Sequence, residues 1–301
     1  MSVTNFNKLL LCLNAIIVLC LIFRAPSNIR CRLTNATFEY QSAIRTTEES
    51  LYVTYGEHEL ADDNEHLLNY IRSMISRQAP GGRHLISKPS RVHFSQVGGS
   101  QFVDKLLKRR RNGFFVESGA FTGEQYSDTL FFEMRRNWTG ILIEPHPEYH
   151  RSILMKNRNA LVLRACLSHS RRPVFAKFRL HGWASGVSAL VKTIRPDNRD
   201  IPETDVQCFS LNSIMAAIGV RHIDFLVLDI EGSELPVLKT IDWTKLSIDV
   251  ISVEYSGVDR LGKVEKIGRL LEETGITYKE MGTLPFGRRK DKAQDVIFMR
   301  V

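Results

Sequence analysis

Hydrophobic and polar positions change their pattern three times along the chain. Residues 9–23 are almost uninterrupted apolar sequence, bounded by Lys8 and Arg24 and broken only by Asn14. As an α-helix that run spans about 22 Å, short of the ~30 Å hydrocarbon core, so by length it is either a signal-peptide core or a short anchor. Ala25-Pro26-Ser27 is not a small-x-small cleavage site, which tips the reading toward an uncleaved anchor. Further on, Leu60, Leu67, Leu68, Ile71, Met74 and Ile75 recur mostly at spacings of three and four, which predicts one amphipathic helix. Ala79-Pro80-Gly81-Gly82 stops it. Its apolar stripe reads as packing against the domain that follows.

From Phe102 onward, short β-rich apolar runs alternate with helical patterns, the signature of βαβ units and a parallel sheet. Strands are expected at 113–118, 140–144, 160–167, 206–209, 224–230 and 248–254. Helices are expected at 125–135, 147–157, 211–218 and 263–274. Between them, 168–205 is an excursion with a hairpin at 174–181 and a Gly/Ser-rich loop at 182–188. Segments 277–281 and 295–301 read as a closing antiparallel pair. The fold class is therefore α/β, a mostly parallel doubly wound sheet with a closing antiparallel strand. The chain divides into a targeting segment at 1–30, a stem with one helix at 31–90, and the α/β domain at 91–301.

Charge and cysteine usage change this picture little. The formal charge of +8 suits an acidic partner or a membrane surface, but the basic residues stand in short groups such as 108–111 and 288–290. No recognition-helix or RNP-like pattern accompanies them, so nucleic acid is not an expected partner. Arg24, Arg30 and Arg32 follow the apolar run, and the positive-inside rule taken literally puts the domain in the cytosol. The sequons Asn35-Ala36-Thr37 and Asn137-Trp138-Thr139 argue for the lumen. Cysteine adds an ambiguous vote: Cys166 and Cys208 read equally well as a disulfide or as two buried thiols, with Cys31 left over in the stem. Cysteine spacing fits no zinc site, and no metal is expected. His146, His150, His169 and His181 are isolated and read as surface or packing residues.

In a doubly wound sheet the ligand lies beyond the carboxyl ends of the strands. After the first strand comes Glu117-Ser118-Gly119-Ala120-Phe121-Thr122-Gly123, whose glycines let the backbone turn under a ligand. It is not a full G-x-G-x-x-G; a cofactor without a pyrophosphate needs only an acid, a glycine turn and a close backbone approach. At the end of the second strand Glu144 is placed to accept hydrogen bonds from two ribose hydroxyls. Asp229-Ile230-Glu231-Gly232-Ser233-Glu234 ends the most apolar strand in three acids, and burying such charges costs several kcal/mol unless they are paired or bind something. Helix capping by Ser233 and Glu234 accounts for part of that cluster and leaves Asp229 and Glu231 as site candidates.

The order Glu117-x-Gly119-Ala120-x-x-Gly123, Ile143-Glu144-Pro145 and Leu228-Asp229-Ile230-Glu231-Gly232-x-Glu234 resembles the FkbM-type methyltransferase family over about residues 95–301. Phe115-Val116-Glu117-Ser118-Gly119-Ala120, Asn137-Trp138-Thr139-Gly140 and Val253-Glu254-Tyr255 are closer still to its membrane-anchored, Star-like animal branch. The resemblance implies a Rossmann-like, S-adenosylmethionine-dependent methyltransferase fold and O-methyl transfer to an acceptor the sequence does not name. It implies that Glu117, Gly119, Gly123 and Glu144 line the S-adenosylmethionine pocket and that Asp229 and Glu231 lie at the reaction end, with Asp229 as general base. For the Star-like branch it implies instead a non-catalytic factor for vesicle trafficking of EGF receptor ligands. Growth-factor precursors would then be partners, and the domain would be luminal in the endoplasmic reticulum, Golgi, endosome or at the plasma membrane.

Overall fold

The structure, a computed structural model, describes residues 63–77, 84–180, 186–187, 202–255, 260–285 and 293–301. The apolar run at 9–23 and the sequon at Asn35 lie outside these residues. Among the described residues no helix is long and apolar enough to cross a membrane.

Helix α1 (Glu65–Met74) begins at Asn64, whose side chain accepts hydrogen bonds from the His66 and Leu67 amides. It buries Leu67, Leu68 and Ile71 in the core of the α/β domain, as its stripe predicts, and runs directly into β1 (Ile75–Arg77), an edge strand of the main sheet. Part of the expected stem thus belongs structurally to the domain.

The elements that follow are α2 (Gly99–Leu106), β2 (Phe114–Ser118), α3 (Leu130–Arg136), β3 (Thr139–Ile143), α4 (Pro147–Met155) and β4 (Leu161–Leu163). Next come β5 (Cys166–Leu167), β6 (Val174–Arg179), β7 (Gly186–Val187), β8 (Glu203–Phe209) and α5 (Leu211–Ala217). The chain closes with β9 (His222–Leu228), α6 (Glu234–Thr240), β10 (Ser247–Glu254), α7 (Arg260–Glu273), β11 (Tyr278–Pro285) and β12 (Ala293–Arg300).

The main sheet has the order β1-β4-β3-β2-β9-β10-β12-β11. Strands β4, β3, β2, β9 and β10 are parallel, while β12 is antiparallel to both its neighbours. Both faces of the sheet are covered, so its central strands are apolar on each. On β2, Phe115 points into one core with Phe132, Trp138 and Ile153, and Val116 into the other with Leu67, Ile214 and Leu238. Strand order reverses between β2 and β9, which are adjacent although six strands, β3 to β8, separate them in sequence. Such a switch point opens a crevice at the strand ends.

Three expectations are corrected. The strand expected at 160–167 is two strands, β4 in the main sheet and β5 in a second, four-stranded sheet of order β5-β8-β6-β7. The segment at 174–181 is not a self-contained hairpin, because β6 pairs along its whole length with β8. Unlike the sequence-local hairpin, this pairing spans about thirty residues and leaves no local signal. The helix expected from 125 starts only at Leu130, because the residues before it are held as a turn by Glu117.

Candidate functional site

The switch-point crevice is built on backbone contacts. Asp229 donates its amide to the Ser118 carbonyl at 3.1 Å, and Gly119 donates to Ile143 at 3.1 Å, so the ends of β9, β2 and β3 are tied side by side. Gly119 has φ +81°, and a Cβ there would collide with the Asp229 carbonyl oxygen. Gly123, at φ +73°, packs against Ile153 instead. The two glycines thus do different things: one brings strand ends together, the other seats the turn on α4.

Glu117, expected on the pocket wall, is turned behind it. Its carboxylate is buried and accepts from Ser127 Oγ at 2.9 Å, the Asp128 amide at 2.8 Å and Thr129 Oγ1 at 2.5 Å. Its role in this geometry is to fix the turn into α3. Arg158, fully buried, braces the same turn from the other side: it donates to Glu133 at 2.8 Å, to the Gly123 carbonyl at 2.5 Å and to Thr129 Oγ1 at 3.2 Å. A lone arginine between a helix and a strand gives no sequence cue to this position.

The crevice holds a cavity of about 50 Å³. Ser118, Gly119, Glu144, Pro145, Asp229, Ile230 and Ser233 line it from the main sheet, and Cys166, Leu167 and Phe178 from the second. Of the residues expected around a common pocket, Gly119, Glu144 and Asp229 are therefore brought together, while Glu117 and Gly123 support the turn beside them. The second sheet supplies a wall that no sequence motif announced. In it a disulfide joins Cys166 to Cys208, direct partners in the β5–β8 pairing with Cα atoms 4.3 Å apart. That resolves the two cysteine readings in favour of the bridge.

Glu144 is the most distinctive group on this wall. Each carboxylate oxygen accepts one backbone amide, from Phe121 and from His146, both at 2.8 Å. Burial nonetheless pushes its pKa up to about 8, against the opposing pull of those two hydrogen bonds. Each oxygen keeps acceptor capacity for a further donor. Ser233, 2% exposed, stands at the N-cap of α6 as expected, but its side chain makes no capping hydrogen bond and its Oγ has no hydrogen-bond partner among the described residues. Glu234 is accounted for within the fold: it accepts from the Ile230 and Gly232 amides and pairs with Lys263 at 2.8 Å. Beside Glu144, Phe121 sits at φ +50°, its ring edge-on to Tyr149 with centroids 4.3 Å apart.

Asp229 and Glu231 belong to an acidic group completed by Glu254 at the end of β10, with oxygens from all three within 4.8 Å of one another. That spacing suits a shared proton or a divalent cation. Burial, then the neighbouring Glu254 charge and a hydrogen bond to it, hold the Asp229 carboxyl well above the usual carboxylate range. Glu254 could have been found from sequence, since it ends an apolar strand as Asp229 does. A similar trio, His222, Asp224 and Asp249, is occupied by the Arg110 guanidinium, 2.5 Å from each aspartate.

Fold and crevice define a Rossmann-like domain of the methyltransferase type, with its closing strand antiparallel between two others. A profile of the methyltransferase FkbM domain matches residues 117–278, more than half of the chain, and the chain belongs to that family. No curated protein sequence matches it. Among solved structures it is similar to Trm5b from Pyrococcus abyssi, at 12% identity and TM-score 0.37, covering 75% of this chain and 55% of that one. It is similar to methyltransferase FkbM from Methylobacillus flagellatus KT, at 12% identity and TM-score 0.39, covering 77% and 50%. Precorrin-6y C5,15-methyltransferase from Geobacter metallireducens GS-15 gives 13% identity and TM-score 0.38, covering 71% and 93%. This chain thus spans about half the length of the first two, and likenesses this distant carry no argument about its chemistry.

Proposed function

We propose that the protein is a membrane-anchored, secretory-pathway protein whose FkbM domain transfers a methyl group from S-adenosylmethionine to an oxygen nucleophile. Family membership supports the reaction class, and one observation carries the assignment to this crevice: Glu144, buried with spare acceptor capacity, shares a cavity wall with the unpartnered Ser233 hydroxyl. This donor and acceptor set fits a nucleoside. Glu144 would hold the ribose hydroxyls, Gly119 would let the chain approach closely, and Ser233 would supply one further hydrogen bond.

S-adenosylmethionine, when bound, supplies a methyl group activated on a positive sulfonium. With it bound, the Asp229–Glu254 pair would take the proton of an acceptor hydroxyl held at this end of the crevice while the methyl group passes from sulfur to that oxygen. The pair can take it only when ionised, so its raised pKa makes transfer faster as pH rises. Leu167 and Phe178 close the apolar side and exclude water. A transfer assay with methyl-labelled S-adenosylmethionine and secretory-pathway glycans or proteins as acceptors tests the reaction; label incorporated by wild type and lost in Asp229→Asn is the supporting outcome.

The disulfide supports the luminal placement, since such bridges persist in oxidising compartments. The Asn35 sequon and the apolar run at 9–23 point the same way. Protection of the domain from protease in sealed microsomes is the corresponding test, and digestion there would overturn the topology.

A second reading is a non-catalytic, Star-like trafficking factor for EGF receptor ligands, with growth-factor precursors as partners. It is favoured by the size of the cavity: about 50 Å³ holds a few waters, far less than a whole nucleoside cofactor. Under that reading, secretion of an EGF-type ligand responds to the protein and is indifferent to Glu144→Ala and Asp229→Ala.

A further inference from the structure

We infer that Asn137 is a site of N-linked glycosylation on the folded domain. The inference rests on the luminal placement proposed above. Asn137 closes α3 as its C-terminal cap, at φ +57°, a backbone conformation asparagine tolerates better than most residues. Its side chain is exposed, and so is that of Thr139, the first residue of β3. Between them Trp138 is 1% exposed, packed on Phe132 with ring centroids 4.6 Å apart and donating its indole N–H to the Arg110 carbonyl at 2.9 Å. The middle residue of the sequon therefore anchors the tripeptide, and its two recognition side chains face solvent.

An asparagine is expected at a left-handed helix cap and threonine is favoured in strands, but neither preference by itself places the two at sequon spacing with both side chains exposed. The position also tolerates a glycan. Residue 139 begins β3, whereas Glu144 follows its carboxyl end; at about 3.3 Å per residue the two lie roughly 17 Å apart, at opposite ends of the strand. A sugar chain there leaves the crevice open. Asn137 Nδ2 donates to Asn112 Oδ1 at 2.7 Å, and a glycosylated amide retains one N–H for that bond.

The modification requires a lipid-linked oligosaccharide diphosphate as donor. Asn137 Nδ2 forms a bond to the anomeric carbon of the first sugar, the bond from that carbon to the phosphate oxygen breaks, the amide loses one proton, and the lipid diphosphate departs. Because acceptor sequons are recognised on nascent chains, the folded exposure of Asn137 and Thr139 matters for keeping the glycan, not for access.

The test is full-length protein expressed in animal cells, treated with a peptide N-glycosidase and followed by gel mobility and by mass spectrometry of the peptide carrying residue 137. The expected result is a downward shift in two steps for wild type, one of them absent in Asn137→Gln and in Thr139→Ala and restored in Thr139→Ser. Thr139→Ala guards against a folding defect from changing the helix cap, since it removes the sequon and leaves Asn137 in place. A wild-type shift in one step, abolished by Asn35→Gln and with an unmodified residue 137 peptide, overturns the inference and leaves the luminal placement standing. No shift at all, in wild type or any variant, overturns both.

Discussion

The backbone carbonyl of Asp229 occupies the space that any side chain on Gly119 would need. The two residues end neighbouring strands, and their contact sets the width of the crevice. Gly119→Ala combines a positive φ with a steric overlap against backbone that cannot swing away. It is expected to destabilise the domain by about 2–4 kcal/mol, several degrees in Tm, with a larger loss of ligand binding than of stability. Thermal unfolding of the variant checks this; a wild-type Tm would mean the strand ends are not so closely tied.

Arg158 and Glu133 form an ion pair with both side chains fully buried. Arg158→Ala leaves Glu133 charged and unpaired apart from His84, and also frees the Gly123 carbonyl and Thr129 hydroxyl. A loss of about 3–5 kcal/mol is expected. Denaturant unfolding should show it, whereas an Arg158→Ala protein as stable as wild type would contradict the bracing role.

Cys166 and Cys208 are bridged across a separation of 42 residues. Closing a loop of that length stabilises a fold by roughly 4 kcal/mol in the chain-entropy estimate. The unreduced protein should show neither cysteine available to alkylation, and the double Cys→Ala variant should melt lower. Because Cys166 and Leu167 also wall the cavity, that variant should bind ligand more weakly even at temperatures where it remains folded.

Glu144 gives the pH dependence. Its pKa is raised in the folded protein to about 8, so the stabilisation from holding a proton is present below the unfolded carboxylate range and is lost as pH rises through about 8. The ligand-free protein should therefore lose stability between pH 5 and 9, and Glu144→Gln should melt above wild type at pH 9 with the difference shrinking toward pH 5. Binding has the opposite sign, because the ionised carboxylate is the better acceptor for ribose hydroxyls. Affinity should rise up to roughly tenfold per pH unit until pH passes about 8.

Much of this was legible in the sequence where a signal was local. The β2, β3, β9 and β10 strands lie within two residues of their expected ends because each is an apolar run flanked by polar turns. Gly119, Glu144 and Asp229 were legible together because each stands just beyond such a strand, and the topology then carries them to one crevice. The second sheet was not, since β5 is two residues long and its partner β8 is more than thirty residues away. Glu117 shows a different limit. Its place in the motif matched a pocket residue, but which way a buried carboxylate turns depends on the Ser127, Asp128 and Thr129 donors, and no spacing rule encodes those.

The central claim is that the crevice ending at Glu144 binds S-adenosylmethionine, and calorimetric titration of the purified domain with that compound at pH 8.5 tests it most directly. Wild type should bind one equivalent; Glu144→Ala should lose about 1.5–3 kcal/mol of affinity, while Asp229→Asn should bind comparably and fail only in transfer. Absence of binding heat for correctly folded, disulfide-bonded wild type across pH 6 to 9, or binding that Glu144→Ala leaves unchanged, would contradict the account.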